Sequence, residues 1–144
     1  MDRYNEIILR ELHKNARIAN SELAEKIGLS PSACLRRVQE LERSGVIKSY
    51  RAILDPEKLG NHFVAYVAVG LREHSVQSQR AFEEAIKDSS EIIECHNVTG
   101  AFEYLLRVET QSINTFKIFH TDVLGAIPQV STIQTHVVME SPKD

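Results

Sequence analysis

The stretch from Leu23 to Leu41 constrains this chain most. Leu23, Ala24 and Ile27 give one apolar helical face, and Gly28 follows where a helix commonly stops. Ser30-Pro31 then opens a second helix: serine caps, and proline suits a first position that needs no backbone donor. Cys34, Val38 and Leu41 recur at i, i+4 and i+7, with Leu35 flanking, and Gly45 closes the run. Small Ala24 lets two helices approach steeply, and Gly28 permits a turn of about four residues. These are the demands of a helix-turn-helix, although an ordinary helical hairpin uses the same signals. A first helix over residues 4–14 carries Ile7, Ile8, Leu9 and Leu12, and Asn20 or Ser21 is the expected cap of the second.

With Cys34, Val38 and Leu41 inward, the later helix presents Ser32, Ala33, Arg36, Arg37, Gln39 and Glu40 outward. Arg36 or Arg37 suits a bidentate contact to a guanine edge, and Gln39 an adenine edge. Ser32 and the helix N-terminus suit a phosphate. Ser30, Ser32, Ala33, Arg36, Arg37, Gln39, Lys48 and Arg51 form the candidate set for double-stranded DNA. The net charge of −3 argues at first against such a partner, but the halves differ. Residues 1–60 hold 11 Lys/Arg against 9 Asp/Glu, and residues 61–144 hold 6 against 11. A duplex needs local positive charge, and residues 31–51 carry 5 basic against 2 acidic side chains. A solvated helix face with Arg/Glu pairs gives the same count.

Residues 46–54 alternate and are expected to form a strand leaving a helix-turn-helix domain at 1–52; residues 53–61 read as a hinge. Residues 62–71 form a strand whose two faces, Phe63/Ala65/Val67/Val69 and Val64/Tyr66/Ala68/Gly70, are both largely apolar. A helix over 76–87 follows, with Val76, Phe82, Ala85 and Ile86 on its apolar side. Strands are expected over 91–98 and 104–109, joined by a loop at 99–103. Ser112 caps a helix bearing Ile113, Phe116, Phe119, Val123 and Leu124, and a last strand covers 130–140. The fold class is α+β: a helix-turn-helix, winged-helix-like domain, then a ferredoxin-like βαββαβ domain over 62–144. Two helices cover one face of a four-stranded sheet. The other face needs a partner, and a second copy is the simplest one, giving a homodimer.

Other chemistry is poorly supported. Cys95 and His96 are strand neighbours pointing to opposite faces, so they make no nucleophile–base pair. His62, His74, His96, His120 and His136 match no metal motif, no cofactor motif is present, and the six glycines are isolated. No catalytic constellation emerges, so an enzyme is not expected. Two cysteines make no disulfide framework, the charged start lacks an apolar signal core, and no stretch reaches membrane length. The expectation is a cytoplasmic protein without membrane contact.

Two stretches carry a family resemblance. Residues 15–38, NARIANSELAEKIGLSPSACLRRV, resemble the DNA-binding half of the Lrp/AsnC feast/famine regulators. Residues 94–108, ECHNVTGAFEYLLRV, resemble the effector-domain hairpin of that family, and the ending THVVME looks like its leucine-responsive branch. The resemblance implies a transcription regulator with a C-terminal RAM domain, dimers assembling to octamers (a tetramer of dimers), and a small effector, usually an amino acid, in clefts between dimers. The implied effector residues are Thr99, Gly100, Ala101, Phe102, Glu103 and Tyr104 of the loop, with Gln134, His136 and Val138 of the last strand. Gly100 would let main-chain N–H groups meet a carboxylate, Glu103 would pair with an ammonium group, and Thr99 would add a hydroxyl. A plain turn with a solvated glutamate fits the same residues. Ala101 stands where leucine-responsive members carry an acid, and Glu103 where they carry aspartate. A changed effector, weaker binding or no response follows from that departure. A small-molecule module on the ferredoxin-like domain and a low-specificity architectural DNA binder are the rival readings.

Overall fold

The computed structural model describes all of residues 1–144, which divide into two compact units, Met1–Ile53 and Leu54–Asp144. The first unit is three helices: α1 (Arg3–Lys14), α2 (Asn20–Ile27) and α3 (Pro31–Arg43). Their shared core is Ile8, Leu23, Ala24, Ile27, Cys34 and Leu41, with Val38 and Leu29 against it. Gly28 adopts φ 75° at the end of α2, the left-handed conformation that glycine reaches without steric cost. Ser30 caps α3 by accepting from the Ala33 amide, with Pro31 at the first turn.

Neither Asn20 nor Ser21 caps α2. Ala19 holds that position without a side-chain bond, and Asn20 Nδ2 instead donates to the Pro31 carbonyl at 2.8 Å. Its amide ties the start of α2 to the start of α3. The strand expected over 46–54 does not form: Val46 and Ile47 lie in a bend, the Ile47 amide donates back to the Leu41 carbonyl, and none of the segment joins a strand pair. Alternation supplies side-chain order, yet a strand also needs a neighbour to take its backbone hydrogen bonds. Val46, Tyr50, Ile53 and Leu54 are accordingly exposed.

The second unit is β1 (Phe63–Leu71), α4 (Val76–Ile86), β2 (Ile92–Asn97), β3 (Tyr104–Thr110), α5 (Ile113–Phe119) and β4 (Val130–Val137). A π-helical turn, His120–Leu124, extends α5. The four strands form one antiparallel sheet in the order β2-β3-β1-β4. One face packs under α4 and α5: Ala65, Val67, Val69 and Leu71 from β1 and Leu106 and Val108 from β3 meet Phe82, Phe116, Phe119 and Leu124. The helices bury less of their own apolar surface than spacing suggests. Val76 (68% exposed), Ala85 and Ile113 (67%) face outward, whereas Ser78 is buried. Val76 and Ile113 are the first residues of their helices, beyond the reach of the sheet. The last strand ends at Val137, three residues short of expectation, though the Val138 amide still donates to Val64.

The opposite sheet face is more polar than β1 alone implies. The register sets Tyr66 beside Arg107 and His136, and Ala68 beside Leu105 and Gln134. Arg107 donates to Tyr66 Oη and to Glu109 Oε2, each at 3.0 Å. An apolar strip down β1 is thus flanked by charged and amide groups, the composition of a protein–protein contact rather than of a core.

Candidate nucleic-acid interface and ligand loop

Helix α3 turns Cys34 and Leu41 into the core and leaves Ser32, Leu35, Arg36, Gln39 and Arg43 in solvent. Arg36 has no intramolecular partner and stands mid-helix on that outward stripe. Arg43 is bound to Glu40 through two hydrogen bonds, and its guanidinium holds the Glu40 carboxyl below its ordinary range. This pairing cancels the one carboxylate expected on the face. Ser30 Oγ and Ser32 Oγ lie 3.3 Å apart at the helix start, where amide groups point outward. Ala33 is half-buried, and Lys48 and Arg51 are exposed on the unpaired segment.

Arg37 is not an outward group. Its Nη1 donates to Asp2 Oδ2 at 2.6 Å and to Asn5 Oδ1 at 3.2 Å, and its guanidinium lies 4.9 Å from the centre of the Tyr4 ring. At 3.6 residues per turn it sits only about 60° from Cys34 around the helix, whereas Leu35 sits about 100° away. Arg37 therefore faces α1, and Leu35, expected as a flank of the core, is 46% exposed between Ser32 and Gln39. The helical angle was the signal for both. An exposed leucine there suits a thymine methyl group.

In the second unit, the loop 98–103 is closed by Val98 N donating to the Glu103 carbonyl at 2.8 Å and Asn97 Nδ2 donating to it at 3.0 Å. Gly100 has φ 120°, and nothing lies within 4 Å of where a Cβ would be. Thr99 and Ala101 are exposed, and Phe102 is half-buried. Glu103 projects onto the open sheet face, on the opposite side from Tyr104. Its Oε2 accepts from the Leu71 amide at 2.8 Å, and its Oε1 lies 2.5 Å from His74 Nδ1. Gly70 makes room for Thr132: a Cβ on it would stand 2.3 Å from Thr132 Oγ1, and at an ordinary 3.7 Å from Glu103 Oε2. Spacing placed neither Leu71 nor His74 beside Glu103, because they meet it only through the sheet register and the β1–α4 connection.

Tyr104 is misplaced in the expected set. It is buried among the helices, stacks on Phe82 at 4.7 Å, and its hydroxyl bonds Glu83; burial first, then that carboxylate, raises its pKa. A surface groove of about 520 Å³ lies beside it between α4 and β2, on the far side of the sheet from the Glu103 carboxylate. Cys95 lines it, and burial, followed by Glu83, pushes that thiol up to about 11. Gln134 and His136 do share the open face with Glu103. However, His136 pairs four positions along from Thr132, about 13 Å at strand rise. One chain therefore does not bring the loop and the end of β4 around a single small molecule.

Comparison with known proteins agrees with both halves. The family described as Lrp/AsnC ligand binding domain matches residues 64–144, and winged helix-turn-helix DNA-binding matches residues 1–48. Leucine-responsive regulatory proteins of Klebsiella pneumoniae and Escherichia coli K12 are each 38% identical over 143 residues, covering 99% of this chain and 87% of theirs. A transcriptional regulator of Neisseria meningitidis, solved as an L-Met complex, superposes with a TM-score of 0.95 at 32% identity, over 100% of this chain and 93% of that one. An AsnC family regulator of Agrobacterium tumefaciens gives 0.91 at 32%, over 100% and 94%. These relatives are regulators, not enzymes, and no helix here is long and apolar enough to cross a membrane.

Proposed function

Since the chain belongs to the Lrp/AsnC family of DNA-binding transcription regulators, we propose that it reads a specific operator and is tuned by a small amino acid. The outward stripe of α3 carries the first part of this reading. Its N-terminal turns enter the major groove, where Arg36 reads a guanine edge and Ser32 with the helix start holds a phosphate. Gln39 and Leu35 read neighbouring bases, while Lys48 and Arg51 supply backbone charge. Symmetric dimers, formed through the open sheet face, would meet two half-sites, and dimers would assemble further toward an octamer.

The ligand part rests on Glu103, a largely buried carboxylate beside a loop of exposed backbone at Thr99, Gly100 and Ala101. Glu103 takes the ammonium group, and the loop amides take the carboxylate. Gln134 shares the open face with Glu103, while His136 and Val138, more distant within one chain, reach the molecule from another protomer. The ligand binds one assembly state better than another and shifts their balance. The L-Met complex of the Neisseria relative supports this ligand class. Two measurements test the proposal. Duplexes selected from a random library should bind at least a thousandfold tighter than random duplex at one salt concentration; equal affinity would leave an architectural binder. Thermal-shift screening of the twenty amino acids, with light scattering, should find at least one that raises Tm and changes assembly.

A further inference from the structure

The carboxylate of Glu103 has two partners of very different kind. The Leu71 amide belongs to the last residue of β1 and is held in place by the backbone of that strand. His74 sits in the connection between β1 and α4, ahead of the Ser75 cap, and its side chain is 79% exposed. The Glu103 side chain is only 12% exposed. A carboxylate so enclosed needs a cationic or donating neighbour at each oxygen, because an unpaired buried charge is costly. A solvated imidazole gives up little by turning away, since water replaces its bond. Oε1 is thus the exchangeable position, and a primary ammonium group is a compact donor that fits it.

We propose that His74 is a built-in occupant of the ammonium position: it fills Oε1 of Glu103 in the free protein, ligand binding displaces it, and residue 74 thereby sets the affinity for amino acids. This rests on the reading that the loop beside Glu103 is the amino-acid site. Competition lowers apparent affinity by the fraction of molecules in which the position is open. Gly70 lies beside the device: a Cβ there would touch Glu103 Oε2 at an ordinary 3.7 Å and would clash instead with Thr132 Oγ1.

The test uses the full chain, titrated calorimetrically with whichever amino acids raise Tm in the screen of twenty. His74→Ala and His74→Gln should bind about two- to fivefold tighter than wild type, the range open to a solvent-exposed pair. His74→Lys, with a permanent charge in the same place, should bind more weakly than wild type. Glu103→Gln should lose most binding in every background. A merely structural role for His74 would weaken binding in all three variants, and that result, or no change, overturns the proposal while leaving the ligand site intact. If Glu103→Gln binds as wild type does, or no amino acid binds wild type or His74→Ala, the site reading itself fails and this inference with it.

Discussion

Arg37 Nη1 stands 2.6 Å from Asp2 Oδ2, so the helix that presents the outward stripe holds the first helix by its own N-cap residue. Asp2 already accepts from the Asn5 amide, and that bond, then Arg37, keeps its carboxyl below the ordinary 3.8. Two arginines adjacent in sequence have divided the work: Arg37 fixes the three-helix frame, and Arg36 is left free to meet a ligand.

Arg37→Ala should lower Tm by a few degrees, and Arg36→Ala should leave it unchanged. The Asp2 contribution is present above its unfolded pKa and is lost as pH falls through its lowered folded value. The Tm gap between wild type and Arg37→Ala should therefore shrink steadily below about pH 4. Thermal melts at pH 6, 4 and 2.5 check this.

Gly28→Ala should destabilise the first unit by about 1 kcal/mol, because φ 75° is poor for any residue with a Cβ, although open space surrounds it. Denaturant melts of the variant measure the cost, and DNA affinity should fall with it if the turn sets the angle of α3.

Gly70→Ala should destabilise the second unit by about 1–3 kcal/mol through the clash with Thr132 Oγ1. Thr132→Ala removes that atom. The double variant should recover most of the loss, giving a coupling visible in a double-mutant cycle of unfolding free energies.

Cys95 should be a sluggish thiol. Raising its pKa from 9.0 to about 11 leaves about a hundredfold less thiolate at pH 8, partly offset by the greater nucleophilicity of that thiolate. Alkylation should run about tenfold slower than for a free thiol, with the rate still climbing past pH 10. Glu83→Gln should speed it by removing the nearby negative charge. Labelling followed by mass spectrometry separates Cys95 from buried Cys34.

Local signals were enough for much of the molecule. Gly28, Ser30-Pro31 and the Cys34/Leu41 spacing located α2, α3 and the turn, because caps and periodicity act over a few residues. The βαββαβ order followed likewise from period changes and from Ser112, which forms a capping box with Thr115. What escaped was tertiary. The partners of Arg37 lie at positions 2, 4 and 5, and Glu103 meets Leu71 and His74 across the sheet. Tyr104 adjoins the loop in sequence, yet strand alternation turns it to the helical side. Residues 46–54 alternate as a strand would and still need a neighbour that one chain does not supply.

The affinity of Arg36→Ala for a library-selected duplex, compared with wild type at the same salt, tests the central claim most directly. Loss of one base-reading contact predicts roughly a five- to 150-fold drop on the selected duplex and a much smaller one on random duplex, with Tm unchanged. Undiminished affinity for the selected duplex would contradict the claim that the outward face of α3 reads DNA.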